Sequence, residues 1–330
     1  ASASVGFVTG GQGANTTCLA AARYAVLTRV GWDVERDGLI GAPPVRIICG
    51  EQAHATIYTA LRLLGVGEQT ALRVAADDQG RMDPEALADA LAASSGPTIV
   101  CAQAGNVATG AFDAFGPIAD ACAEHRAWLH IDGAFGLWAA AAPVTQDLTT
   151  GVERADSWAV DAHKWLNVPY DGAMAIVADQ EAHVAAMSLA GPYLVADPGQ
   201  RDGTNYVPES SRRARAVPIY AAIRSLGRAG IAEMVERNCA QAARIAKQLS
   251  NIAGAKVLND VVLNQVLVRL PGGDDANRAA VAAIQRDGTC WLGGTTWNGE
   301  YVLRVSISNW ATTDEDIDRS AAAIAAAVTA

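Results

Sequence analysis

The chain has 330 residues, 51% of them apolar and 18% charged, and a formal charge of −10. That apolar share supports a sizeable core and excludes an extended disordered chain, and the acidic balance excludes a broad nucleic-acid or anionic-membrane footprint. A phosphorylated ligand is still allowed, because backbone N–H groups can cradle phosphate on an acidic protein.

Gly10-Gly11-Gln12-Gly13 comes almost at once, before any convincing first strand, so the sequence reads as a fragment that has lost a leading segment. Ala14 to Val30 predicts a helix opening on that turn, followed by a strand at Val45 to Cys49 and a helix from Ala53 to Leu64 closed by Gly65. Ala71 to Val74 predicts a short strand, and Asp83-Pro84-Glu85 starts a helix with proline at its first position. Thr98 to Cys101 reads as a buried strand, Phe115 to His125 as a helix and Trp128 to Ile131 as a strand, with two more strands at Ser157 to Val160 and Met174 to Val177. This alternation predicts an α/β fold with a mostly parallel sheet covered on both faces and ligands at the carboxyl ends of its strands. From Gly191 to Arg213 the pattern breaks into a segment rich in Gly, Pro, Asp and Ser that carries Tyr193 and Tyr206. A long helical stretch from Ala214 to Ile252 follows. After it come a strand at Leu263 to Leu270, a helix near Asn277 to Asp287, a strand at Leu303 to Ile307 and a last helix from Thr313, which suggests a small α+β domain. Cys18, Cys49, Cys101, Cys122, Cys239 and Cys290 are scattered and show no metal-ligand spacing. They read as reduced core thiols of a cytoplasmic protein with no metal site. No charge-free apolar stretch has the length of a membrane span.

The chemistry concentrates in two places. His130-Ile131-Asp132-Gly133-Ala134 ends an apolar run in a carboxylate, and Asp161-Ala162-His163-Lys164-Trp165 places an amine just past the next one. A carboxylate that holds a proton on a ring nitrogen, and an amine that forms a Schiff base with an aldehyde, are what a pyridine-based electron sink needs. Each residue also has a plainer reading. Lys164 could be a surface lysine, Asp132 a turn cap and His54 a helix-terminal histidine. The glycine turn alone is a weak phosphate signal, since no Gly-Lys-Ser/Thr follows and no acidic residue stands where a dinucleotide site wants one. His125 and His183 read as exposed helix residues, and His130 as core.

Taken together, in order and spacing, these elements resemble the group II pyridoxal-phosphate-dependent amino-acid decarboxylases over essentially the whole chain. The resemblance implies an aspartate-aminotransferase-like (fold type I) large domain over residues 1–190, a mobile catalytic loop over 191–213, and connecting helices with a small C-terminal α+β domain over 214–330. It implies pyridoxal 5'-phosphate as cofactor, with Lys164 as its covalent anchor and Asp132 on the pyridine nitrogen. Ala134 and His54 would lie on opposite ring faces, with Gly11, Gln12, Gly13 and Asn15 in the phosphate loop and Asp161 and His163 beside them. Tyr193 takes the position of the loop tyrosine that protonates carbon once CO2 leaves. Three positions depart from the family pattern: Gly105-Asn106-Val107 replaces a threonine pair, Asp161 a common asparagine and Gly133 a common alanine.

The expected function is decarboxylation of an L-amino acid to its amine by a homodimer with shared active sites. A pyridoxal-phosphate aminotransferase or carbon–carbon lyase is the nearest alternative, and Arg304 is the residue an aminotransferase would use for the substrate carboxylate. A non-catalytic scaffold of the same fold is a further alternative.

Overall fold

A computed structural model describes residues 3–93, 95–189 and 200–328. The chain divides into two compact units. One comprises residues 1–104, 112–137 and 149–225, and the other residues 105–111, 138–148 and 226–330.

The first unit is built on a seven-stranded sheet. Its strands are β1 (Ser4–Val8), β2 (Arg46–Gly50), β3 (Ala71–Val74), β4 (Thr98–Gln103), β5 (Trp128–Asp132), β6 (Ser157–Asp161) and β7 (Ala173–Val177), in the spatial order β1-β7-β6-β5-β4-β2-β3. β2 to β6 run parallel, while β7 pairs antiparallel with both β6 and β1. Every residue of β4 and β5 is buried, as the central strands of a sheet covered on both faces must be. α1 (Gly11–Thr28) packs on β5, β6 and β7, together with α3 (Ala55–Leu63) and α6 (Gln180–Met187). α4 (Pro84–Ala92) and α5 (Phe115–Glu124) pack against each other and against β3 to β5. Between α1 and the sheet lies a core that includes Cys18, Leu19, Val26, Ile47, Ile99 and Trp128. A short α2 (Val34–Asp37) follows α1.

The second unit carries an antiparallel sheet of β8 (Lys256–Val257), β9 (Gln265–Arg269), β10 (Gly293–Trp297) and β11 (Glu300–Ser306), in the order β10-β11-β9-β8. α8 (Gly273–Asp287), α9 (Asp314–Ala326) and the later turns of α7 (Ala216–Leu249) close its core through Ile245, Leu249, Val268, Ile284, Leu303 and Ile324. α7 is two helices joined at Gly227, whose φ of 62° is the left-handed region that glycine tolerates.

Local chemistry explains the helix starts. Asp83 accepts from the backbone N–H groups of Glu85 (2.9 Å) and Ala86 (3.4 Å), and Thr313 and Asp316 form a capping box. Two expectations are corrected. A first strand does precede the glycine turn: Ser4–Val8 pairs along its whole length with β7. His183 is fully buried, not exposed. Its Nδ1 lies 2.8 Å from Ser4 Oγ and its Nε2 3.0 Å from the Tyr206 carbonyl, contacts that sequence distance conceals. No described helix is long and apolar enough to cross a membrane.

Candidate active site

β5 and β6 are parallel neighbours, with Asp132 opposite Ala159. Backbone bonds continue past the strand ends, from Gly133 N–H to the Ala159 carbonyl (3.0 Å) and from Asp161 N–H to the Ala134 carbonyl (2.7 Å). Asp132 and the Asp161–Lys164 segment therefore leave adjacent strands at the carboxyl edge of the sheet, where open α/β folds bind ligands.

Lys164 Nζ lies 2.9 Å from Asp161 Oδ2; the Lys164 side chain is 39% exposed and the Asp161 side chain 1% exposed. The other Asp161 oxygen faces His163 Nε2 at 3.6 Å. Gly172 N–H donates to His163 Nδ1 (3.2 Å), so a neutral His163 carries its proton on Nε2, toward Asp161. Burial holds the His163 pKa below the usual histidine value, against the raising effect of Asp161. The His163 ring stacks on Tyr170 at 4.2 Å between centroids. Beyond it, Asp171 accepts from Arg215 (2.9 Å), and its carboxyl is held below the usual range by that guanidinium.

The glycine turn opens α1 without a side-chain cap and with no acidic residue in the first turn. Ala14 N–H returns to the Gly10 carbonyl (2.9 Å), so the Gly11, Gln12 and Gly13 N–H groups are the end donors that an α-helix cannot pair internally. A Cβ on Gly10 would stand 3.1 Å from His163 Cε1, and one on Gly11 3.0 Å from Asp161 Oδ2. The two glycines keep the helix end open against Asp161 and His163. Gln12 folds its amide back onto Thr16 Oγ1 (3.2 Å), so its backbone rather than its side chain faces the turn.

Asp132 is 6% exposed and well supplied with donors. Asn15 Nδ2 donates to Oδ2 (3.0 Å) and Ala134 N–H to Oδ1 (3.2 Å). Asn15 therefore does not send its side chain to the glycine turn. It reaches Asp132, Thr56 Oγ1 (2.9 Å) and His130 Nε2 (3.0 Å). His54 caps α3 and accepts from Thr56 N–H on Nδ1 (3.3 Å). Gly133 has no room for a side chain because Leu137 fills the space: a Cβ there would fall 2.2 Å from Leu137 Cγ.

Sequence reasoning passed over Thr56, Ser157 and Trp128, and took His130 as plain core. The signal was the alternation Trp128, His130, Asp132, which puts three polar-tipped side chains on one face of β5. Tyr193 lies outside the described residues. Arg304, in the second unit, spends Nη1 on the Val107 carbonyl (3.2 Å) and Ser306 Oγ (3.1 Å). Burial pushes the thiols of Cys18 and Cys122 up to about 12 and raises those of Cys49 and Cys101, so none of these four is a ready nucleophile. Among the described residues, no group of three or more His, Cys, Asp or Glu is placed to hold a metal.

Residues 2–271 match the pyridoxal-dependent decarboxylase conserved domain. Among curated proteins, the chain is 30% identical to an L-2,4-diaminobutyrate decarboxylase of Rhizobium meliloti, over 97% of this chain and 65% of that protein. It is 27% identical to tryptophan decarboxylase 1 of Oryza sativa, over 88% of this chain and 60% of that one. The chain thus spans between 32 and 66% of the length of curated relatives it matches. Among solved structures, Oryza sativa TDC with PLP and tryptamine superposes with a TM-score of 0.90 over 99% of this chain and 70% of that chain, at 24% identity, which shows the fold type. With the match to the conserved domain covering most of its length, the chain belongs to the pyridoxal-dependent decarboxylase family.

Proposed function

We propose that the chain is the core of a pyridoxal-phosphate-dependent carboxy-lyase that releases CO2 from an L-amino acid and leaves the amine. The observation that carries this reading is the convergence of Asp132, Lys164 and the uncapped end of α1 at one edge of the parallel sheet. These residues fit the cofactor. The carboxylate of Asp132 accepts hydrogen bonds on both oxygens, as a partner for a protonated ring nitrogen should. The cradle at Gly10 and Gly11 is one that a Cβ would fill, and a helix N-terminus suits phosphate. Lys164 is the amine at hand.

When bound, pyridoxal phosphate supplies the electron sink for the bond to the departing carboxyl carbon. Lys164 Nζ would hold its aldehyde carbon, and Asp132 would keep the ring nitrogen protonated. The N–H groups of Gly11, Gln12 and Gly13 would hold its phosphate, with His163 alongside. His54 and Ala134 would cover the two ring faces. Tyr193 would deliver the proton that replaces CO2 on the α-carbon. The relatives named above and an acidic amino acid decarboxylase act on tryptophan, diaminobutyrate and acidic amino acids, so the candidate substrates are aromatic, acidic and diamino acids. A homodimer with shared sites completes the reading, and the buried free thiols suit the cytoplasm.

The test is a CO2-release screen over aromatic, acidic and diamino acids on the purified chain with added pyridoxal phosphate, alongside Lys164→Ala. The reading expects amine and CO2 in equal amounts from at least one amino acid, and loss of both turnover and the bound cofactor's visible band in the variant. Keto acid as product, or a variant that keeps the band, would sink it. Light scattering that gives a monomer's mass would remove the dimer.

A further inference from the structure

The buried groups behind Asp132 form a chain whose proton positions can be read from its two ends. The indole N–H of Trp128 can only donate, so Ser157 Oγ accepts from it (2.9 Å). The hydroxyl proton of Ser157 goes to His130 Nδ1 (2.9 Å), a direction set from the other end of the chain: Asn15 gives its NH2 to the Asp132 carboxylate, so its Oδ1 faces His130 Nε2. A neutral His130 must carry its proton on Nε2 and give it to Asn15 Oδ1 (3.0 Å). His130 is fully buried, and burial holds it neutral by lowering its pKa to about 4. With its oxygen taken, Asn15 turns its NH2 group toward Asp132 Oδ2 (3.0 Å) and Thr56 Oγ1 (2.9 Å). Thr56 Oγ1 can give its one proton to His54 Nδ1 (2.9 Å) or to Asp132 Oδ2 (3.5 Å); the shorter contact favours His54, whose Nδ1 also accepts from Thr56 N–H.

We propose that Trp128, Ser157, His130, Asn15 and Thr56 are positioning residues. They form a hydrogen-bond relay that presents donors to Asp132 and fixes His54 with Nδ1 as an acceptor and its proton on Nε2. Two groups that meet the cofactor in the proposed function are thus held in one hydrogen-bonded chain. The relay spans β5, β6, α1 and α3, and its first four members are buried. Turning the Asn15 amide over would set its oxygen against the Asp132 carboxylate and its NH2 against the His130 Nε2–H, buried mismatches that cost about 1–3 kcal/mol each, which makes this direction stable.

The relay's protonation claim rests on no cofactor; only its catalytic use rests on the proposed decarboxylase. The chain has five histidines, so long-range 1H–15N spectra of the labelled chain without cofactor can resolve them. The expected result is the Nε2–H tautomer for both His130 and His54 at neutral pH. In Ser157→Ala the donor to His130 Nδ1 is gone, and the His130 nitrogen shifts should move. In Asn15→Leu, retention of pyridoxal phosphate by the folded chain should weaken about tenfold, as for the loss of a hydrogen bond to a charged group. An Nδ1–H tautomer at His130 or His54 in the unmutated chain overturns the relay, as does unchanged cofactor retention in Asn15→Leu. If the unmutated chain binds no pyridoxal phosphate while both tautomers are as expected, the decarboxylase reading fails and the relay stands.

Discussion

Asp161 carries a full carboxylate at a position with 1% of its side chain exposed, and Lys164 answers it at 2.9 Å. A carboxylate taken out of water needs such a partner, and removing one member of a buried pair costs more than the pair ever contributed. Here the lysine is 39% exposed, which screens the attraction and keeps the effect small. Lys164→Ala should therefore destabilise the cofactor-free chain by about 1 kcal/mol, because Asp161 loses its ammonium. Adding Asp161→Asn, which removes the charge and keeps the shape, should recover most of that. Urea midpoints of the two variants and the unmutated chain check the pair of statements. A Lys164→Ala chain as stable as the original would show that Asp161 does not depend on the lysine. The residue proposed to anchor the cofactor thus has a second role when no cofactor is present: it neutralises the carboxylate that stands against the end of α1.

The start of α1 lacks the features that would stabilise it for its own sake, as the proposed phosphate cradle requires. A side-chain cap and an early acidic residue would each stabilise its N-terminus, and it has neither. Glycines hold the opening instead, and a Cβ on Gly11 would press within 3.0 Å of Asp161 Oδ2. Gly11→Ala should leave the fold intact, since alanine suits a helix, yet weaken cofactor retention about tenfold by crowding the phosphate cradle. Equilibrium dialysis with pyridoxal phosphate reads this directly, and unchanged retention would move the phosphate elsewhere. At this scale much was legible in the sequence. Apolar runs and glycine or Asp-Pro punctuation located β2 to β7 and α1, α3, α4 and α5 to within a few residues. β1 was not legible, because Ser4–Val8 contains Gly6, which reads as a loop residue. In the fold that glycine marks a close approach, since a Cβ there would fall 2.1 Å from the Tyr206 carbonyl. His183 was misplaced for a related reason. α6 is eight residues long and weakly patterned, and the Ser4 that buries its histidine lies 179 positions away. The order of the strand-end residues pointed to Asp132 and Lys164, whereas Ser157, Asn15 and Thr56 behind Asp132 come from three other elements that no local pattern joins.

For the molecule as a whole, these buried groups set how stability responds to acid. His130 and His183 are both pushed down to about 4 by burial, from an ordinary value near 6.5. Each stays neutral in the fold and takes up a proton on unfolding between those limits. Their contribution is thus complete above pH 6.5 and is lost as the pH falls toward 4. Asp113 works in the opposite direction. Burial pushes its carboxyl up to about 6, although Met82 and Gln103 N–H both donate to it at 2.7 Å. It releases a proton on unfolding below pH 6, so its effect is to favour the fold as the pH falls through that value. His130 and His183 against Asp113 leave a net uptake of about one proton, and His163, held low by burial, and Asp156, raised by it, act in opposite directions, so stability should decline between pH 6 and 4 by about 1.4 kcal/mol per pH unit at the steepest. Asp113→Asn removes the opposing group. It should lower stability overall, because an amide can serve only one of the two N–H donors with its oxygen, and it should also steepen the decline. Urea unfolding of both chains at several pH values in this window measures the slopes. A flat or rising profile in the unmutated chain would mean that one of the two histidines is charged in the fold. If that histidine were His130, its Nδ1 proton would compete with the Ser157 hydroxyl and break the ordered chain of donors that ends at Asp132.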